Sequence, residues 1–304
     1  MSLTVLTIVL AACTMLVLGI AAGLVLGWAN KAFHVEEDPK ITAIDDALPG
    51  ANCGGCGFVG CKEYAEAVAK GEAPVDKCAP GGAGTAAAVG EIMGVEVKES
   101  WPQRPVVHCA ALGEQRLQRT PYRGLASCAA ANLVGGFQGC TYGCIGLGDC
   151  TRACKYDALH VRRGLATVDY LKCVGCGACV RVCPRNIISL VPFKADRVLA
   201  VCCSNKDFGI EVKSVCKVGC IGCKGCERTM SGLFKVKDNL PSIDYDQYDS
   251  ATDFALVLKK CPMKRLMYVG RPSAEDIEAA KDQEMPKEAR ADFKTTIDET
   301  EWWG

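Results

Sequence analysis

"CVGCGACVRVCP", residues 173–184, decides how the middle of the chain folds. Cys173, Cys176 and Cys179 are each separated by two residues, so one short loop supplies three thiolates for three corners of an iron–sulfur cube. Cys183 is carried away by the turn before Pro184, and in a two-cluster ferredoxin fold such a residue ligates the other cluster. Zinc is the rival for this run, but zinc ribbons use two separated pairs rather than three ligands in one loop and a distant fourth. The crossing rule gives one [4Fe–4S] cluster on Cys154, Cys173, Cys176 and Cys179. It gives a second on Cys140, Cys144, Cys150 and Cys183, although the first half is stretched to C-x3-C-x5-C and Cys154 is followed by Lys155.

Working outward, "YGCIGLGDCTRAC" (142–154) aligns without a gap on "VGCIGCKGCERTM" (218–230), which identifies an internal repeat. Cys140, Cys144 and Cys150 fall on Cys216, Cys220 and Cys226, and Leu147 falls on Cys223. Cys154 falls on Met230, Cys173 on Tyr248, and both copies end in Cys-Pro at Cys183 and Cys261. The second copy has lost all four ligands of one cluster and kept Cys220, Cys223, Cys226 and Cys261 for the other. It reads as a single-cluster module, with Cys216 as a competitor for a ligand position. Of the remaining cysteines, Cys13 is an apolar filler, and Cys109 and Cys203 occupy similar places before each module, where strand packing is the default role. Cys128 and Cys202 receive no assignment.

A different pattern stands upstream. Cys53, Cys56 and Cys61 form C-x2-C-x4-C, and Cys78 follows within a glycine-rich stretch. Glycines let backbone amides approach cluster sulfurs, so a further [4Fe–4S] cluster is expected, with structural zinc and a redox dithiol as the alternatives. "CKEYAEAVAKG" and "AGTAAAVGEIMG" predict two helices around it, the first stopping at Gly71.

The chain has 304 residues and 22 cysteines, with no net charge and only three histidines. Tight cysteine runs rather than scattered ones point to metal ligation in a reducing compartment, not to a disulfide framework. No P-loop and no G-x-G-x-x-G after a strand is present, so nucleotide or flavin binding is not expected, and neither hydrolysis nor a nucleic-acid partner is supported. From Leu3 to Trp28 no residue is charged. As a helix this stretch measures about 39 Å, long enough for a hydrocarbon core of about 30 Å. It lacks the basic start of a signal peptide, and the first charge after it, Lys31, places the C-terminal side in the cytoplasm. Gly19, Gly23 and Gly27 form a small-residue seam suited to a partner helix.

The expected fold is therefore α+β: a transmembrane helix (1–28), an extended linker (29–45), a helical four-cysteine module (46–99), a two-cluster ferredoxin-like module (106–200), a single-cluster one (201–270) and a charged tail (271–304). "WPQRP" (101–105) reads as a boundary, and Ser273 with Asp276 as the cap of a short tail helix. Trp302 and Trp303 lie at a terminus expected to fray. Between Thr141 and Ala200, nine Lys or Arg stand against four Asp, which suggests a basic face able to steer an acidic partner.

The order of these parts, a membrane helix, a glycine-rich four-cysteine module and then a "GC-IG-GDC" ferredoxin pair, resembles the B subunit of the Rnf electron-transport complex over residues 1 to about 270. The resemblance implies an iron–sulfur subunit of a membrane-bound ferredoxin:NAD⁺ oxidoreductase that couples electron transfer to Na⁺ or H⁺ translocation. It implies reduced ferredoxin as donor and membrane-embedded subunits as acceptors. The alternatives are a relay subunit of another membrane oxidoreductase and a zinc-stabilised binding module. About four [4Fe–4S] clusters are expected.

Overall fold

The computed structural model describes residues 3–32, 38–97, 101–272 and residue 278. The expected cap at Ser273 and Asp276, and Trp302 and Trp303, lie outside the described residues. The chain divides into two compact units, residues 1–43 and 44–304.

Helix α1 (Leu3–Ala32) runs past the expected end at residue 28. Its stretch Ile8–Ala32 carries no buried residue and, among the described residues, is the one helix long and apolar enough to cross a membrane. Among the described residues, nothing approaches the Cβ positions of Gly19, Gly23 or Gly27. Part of the expected extended linker is helical instead: α2 spans Pro39–Ala47. Pro39 suits a first helical turn, where its missing N–H costs nothing. Asp38 accepts the Lys40 N–H at 2.9 Å.

The N-terminal module holds α3 (Cys61–Ala69) and α4 (Gly82–Met93), as the sequence predicts. The boundary expected at 101–105 begins a strand, because Val106 and Val107 are apolar and become buried. Strand β1 (Gln103–Val107) is followed by a 3₁₀ turn (Gly113–Gln115), α5 (Cys128–Val134), α6 (Asp149–Arg152), β2 (Leu159–Arg162), β3 (Leu165–Val168), α7 (Ala178–Val182) and β4 (Ile188–Pro192). The second copy contributes β5 (Arg197–Val201), α8 (Gly209–Val215), α9 (Gly225–Thr229), β6 (Phe234–Lys237), β7 (Leu240–Ile243), α10 (Ala255–Lys260) and β8 (Leu266–Gly270).

The repeat is visible in the pairing. β1 pairs antiparallel with β4 and β2 with β3; in the second copy β5 pairs with β8 and β6 with β7 in the same manner. Two-stranded ribbons this short cannot stand alone in water. Each copy is held instead by a packed core, and in the first copy cysteines take the place of much of the usual aliphatic packing. That core gathers Leu159, Leu165, Ile187 and Ile188 with Cys109, Cys140, Cys144, Cys150, Cys179 and Cys216. The other, in the second copy, is built on Val198, Leu199, Phe234, Tyr248, Phe254 and Val257.

Candidate iron–sulfur sites

In the N-terminal module, Cys53, Cys56, Cys61 and Cys78 line one cavity together with Leu48, Pro49 and Tyr64. Asn52 Oδ1 accepts the Cys61 N–H at 2.8 Å and fixes the start of α3. Tyr64 is buried; its hydroxyl donates to the Pro74 carbonyl at 2.8 Å and accepts the Lys77 N–H at 3.2 Å. That pair of bonds holds the 74–77 loop, so Cys78 is delivered to the cavity of the other three thiols.

Cys154, Cys173, Cys176 and Cys179 line a second cavity, as the crossing rule expects. The Ala158 N–H donates to Cys154 Sγ at 3.4 Å. Gly175 adopts a φ of +78°, and a Cβ there would run into the Gln103 carbonyl, so glycine is required where the ligand loop crosses β1.

The third cavity departs from the expected ligand set. Cys144, Cys150 and Cys183 line it, but the fourth thiol is Cys128, not Cys140. Asp149 is the cause. Its carboxylate accepts the N–H groups of Cys128 at 2.9 Å and Ala129 at 3.0 Å and the Ser127 hydroxyl at 3.0 Å. It also pairs with Arg152. Burial alone would raise the Asp149 carboxyl, but these donors hold it below the ordinary range. The start of α5 is thus pinned beside Cys150. In the alignment Leu147 stands where the second copy has Cys223, and Cys128, from well upstream, brings the thiols of this cavity to four. Sequence reasoning missed it because the tie runs through Asp149 in three dimensions, not through a local spacing.

In the second copy, Cys220 and Cys226 each lie beside Cys223 and Cys261. The Arg265 N–H donates to Cys261 Sγ at 3.3 Å. Where the first copy has its Cys173 cavity, the second has solid core. Tyr248 is buried and stacked on Phe254, with Met230 packed against the same core.

Cys140 lies in a further cavity between the two copies, lined also by Cys109, Cys202, Cys203 and Cys216. The strands that precede each module thus deliver the thiols of Cys109 and Cys203 to a common cavity.

Among the described residues, no three His, Cys, Asp or Glu side chains converge closely enough to hold a single metal ion. Three of the four-thiol groups ring cavities with no histidine among them, and that donor set suits a cluster with several irons. Burial pushes the thiols of Cys144, Cys150 and Cys179 up to about 12. Iron must displace those protons, so loading releases acid.

Much of the expected basic face is used internally. Arg185 donates to the carbonyls of Cys140 at 3.1 Å and Gly143 at 2.6 Å. Lys194 binds the Asp246 and Tyr248 carbonyls, and Arg181 the Cys176 carbonyl. The carbonyls of Cys140, Gly143 and Cys176 lie in the cysteine loops and have no strand-ladder partner, and Arg185 and Arg181 satisfy them.

The sites are contiguous. A Cβ on Gly55 would sit 2.9 Å from the Cys176 carbonyl oxygen, so the N-terminal ligand loop lies directly on the Cys173 loop. Lys155 Nζ donates to the Asn52 carbonyl at 3.3 Å across the same seam. Cys179 lies beside Cys150, which joins the Cys173 and Cys150 groups.

Family models overlap two of these sites, the N-terminal group and the Cys173 run. A family model described as "Putative Fe-S cluster" matches residues 48–80, and one described as "4Fe-4S binding domain" matches residues 166–189. The chain is 38% identical to the B subunit of the ion-translocating oxidoreductase complex of Methanosarcina acetivorans, over 82% of this chain and 94% of that protein. It is 40% identical to the B subunit of the Na⁺-translocating ferredoxin:NAD⁺ oxidoreductase complex of Acetobacterium woodii, over 81% and 74%. Against the B subunit of the proton-translocating ferredoxin:NAD⁺ oxidoreductase complex of Clostridium ljungdahlii it is 36% identical, over 84% and 90%.

Proposed function

The chain belongs to the family of B subunits of ion-translocating ferredoxin:NAD⁺ oxidoreductase (Rnf) complexes, iron–sulfur electron-transfer subunits, and on that premise we propose how it relays electrons. Reduced ferredoxin is the donor, the ferredoxin-like modules are the entry, and the N-terminal module is the exit toward other subunits of the complex. Helix α1 anchors the chain by a single pass, with residues 44–304 on the cytoplasmic side. Four [4Fe–4S] clusters are held by the N-terminal group, the Cys173 group, the Cys220 group and the group of Cys128, Cys144, Cys150 and Cys183.

A cluster bound at each group supplies acceptance and release of single electrons, with no bond made or broken in a substrate. The chain supplies thiolate ligands and N–H donors to sulfur, and around Cys144, Cys150 and Cys179 a buried surround that tunes the potential. The observation that carries the reading is the contiguity of the groups, above all the Gly55 contact that brings the exit loop onto the Cys176 backbone.

The test is Cys53→Ala in the assembled complex. Ferredoxin should still bleach the downstream absorbance near 400 nm, while NAD⁺ reduction stops. Survival of NAD⁺ reduction would remove the N-terminal module from the path.

A further inference from the structure

We propose that Cys109, Cys140, Cys203 and Cys216 ligate a further [4Fe–4S] cluster, seated between the two ferredoxin-like copies and joining them into one path. The inference rests on the relay reading above. Each copy contributes two thiols from equivalent places. Cys109 and Cys203 each stand two residues past the end of a strand, β1 and β5. Cys140 and Cys216 are aligned partners in the repeat. The four are therefore related as the two copies are, which chance packing would not require.

The surroundings are those of an anionic group rather than of neutral packing. Asn205, 2% exposed, directs Nδ2 to Cys140 Sγ at 3.6 Å. The Cys220 N–H donates to Cys203 Sγ at 3.2 Å, and the N–H groups of Val218 and Gly219 lie against the Cys216 thiol. Two guanidinium groups border the cavity. Arg116 is buried and donates to the carbonyls of Leu112, Cys144 and Gly164, whereas Nη1 of Arg265 is buried with no hydrogen-bond partner among the described residues. Burying the Arg265 cation beside neutral thiols is costly, whereas thiolates on a cluster of net negative charge would compensate it. The equivalent glycines Gly143 and Gly219 keep the space open: a Cβ on Gly143 would sit 3.4 Å from Cys140 Sγ, and one on Gly219 would sit 3.6 Å from Cys216 Sγ.

Cys202 also lines the cavity but is not assigned as a ligand. It packs into the other core with Tyr170 and Tyr245, and successive residues at a strand end point to opposite sides. Its counterpart His108 likewise turns away, to Ser189 Oγ at 2.6 Å and the Val201 carbonyl at 2.8 Å.

The position gives the site its use. Cys144 of the third group lies beside Cys109, and Cys203 is hydrogen-bonded to the backbone of Cys220 in the last group. The order of groups along the protein becomes N-terminal, Cys173, Cys150, interface, Cys220. Electron transfer falls off steeply with distance, so a cluster at the interface would connect the last module to the rest.

Iron and acid-labile sulfide should be counted in the full chain purified without oxygen. Five groups of four irons predict about twenty irons per chain rather than about sixteen. Cys216→Ser and Cys109→Ser should each lower the count by about one-fifth and remove one component from the reduced electron paramagnetic resonance spectrum. Cys202→Ala should leave both unchanged. A wild-type count near sixteen, unaltered by Cys216→Ser, would overturn the interface cluster while leaving the four-cluster relay intact. Loss of iron on Cys202→Ala, with Cys203→Ser unaffected, would overturn the ligand assignment. A count far below sixteen would overturn the underlying relay reading as well.

Discussion

At the scale of single residues, the third thiol group turns on Asp149. Its carboxylate gathers three donors at the start of α5 and thereby brings Cys128 to Cys150. Cys128→Ser should cost about four irons per chain, the content of one cluster. Asp149→Ala should do the same in part, because it frees the helix start without removing a ligand, and an iron chelator should strip that cluster first. Metal analysis and the reduced electron paramagnetic resonance spectrum are the readouts. Equal iron in wild type and Cys128→Ser would return the ligand position to Cys140. The Cys173 run can be read from spacing because its three thiols lie in one loop, and the structure gathers them with Cys154 around one cavity. Spacing groups Cys140 with Cys144 and Cys150 because it too follows a ferredoxin-like pattern, whereas the cavity there is lined by Cys128, brought in by Asp149 from a helix that starts well upstream.

At the scale of elements, the two copies share their ribbons but not their interiors. The repeat, the loss of one site and the survival of Cys220, Cys223, Cys226 and Cys261 are all legible in the alignment. What fills the lost site is not, since aromatic packing has no fixed spacing. Tyr248 accepts the Leu199 N–H at 3.0 Å and stacks on Phe254 at 5.4 Å between centroids. Truncating a buried aromatic of this kind costs about 3–5 kcal/mol. Tyr248→Ala should therefore lower the thermal midpoint of the second copy with iron content unchanged, and Met230→Cys should add no iron. A change of iron in either variant would mean that the site still holds metal. The contact between ligand loops is a second element-scale device. Gly55→Ala would press a methyl group onto the Cys176 backbone, at 2.9 Å from its oxygen, which a well-packed seam can relieve only by moving apart. The expected result is full iron content with slower transfer from the Cys173 cluster to the N-terminal one, read by stopped-flow reduction. An unchanged rate would mean that the seam relaxes without separating the two loops.

At the scale of the whole molecule, the long apolar helix and the thiol groups fall in different units. Residues 44–304 form their own compact body, and Ile44, at its beginning, is completely buried. Every proposed ligand group lies inside that body. The apolar stretch Ile8–Ala32 has no buried residue and would be about 38 Å long as a helix. Leu16, Leu18, Leu24 and Leu26 are each about two-thirds exposed, an apolar surface that a bilayer or a partner subunit would cover. The linker's charge and proline suggest an extended chain, yet α2 forms on Pro39 and Asp38, because cap and ring act locally whatever the surrounding composition. Removing residues 2–37 should therefore detach the protein from membranes without disturbing cluster assembly. The shortened chain should be recovered in the supernatant of a high-speed spin with the same iron per chain, and ferredoxin should still reduce it. It should not support NAD⁺ reduction when added back to membranes that lack the full-length chain, because exit requires the N-terminal module to be held near its acceptor. Restored NAD⁺ reduction at low concentrations of the soluble form would show that docking of the module, not tethering by α1, brings it to the acceptor.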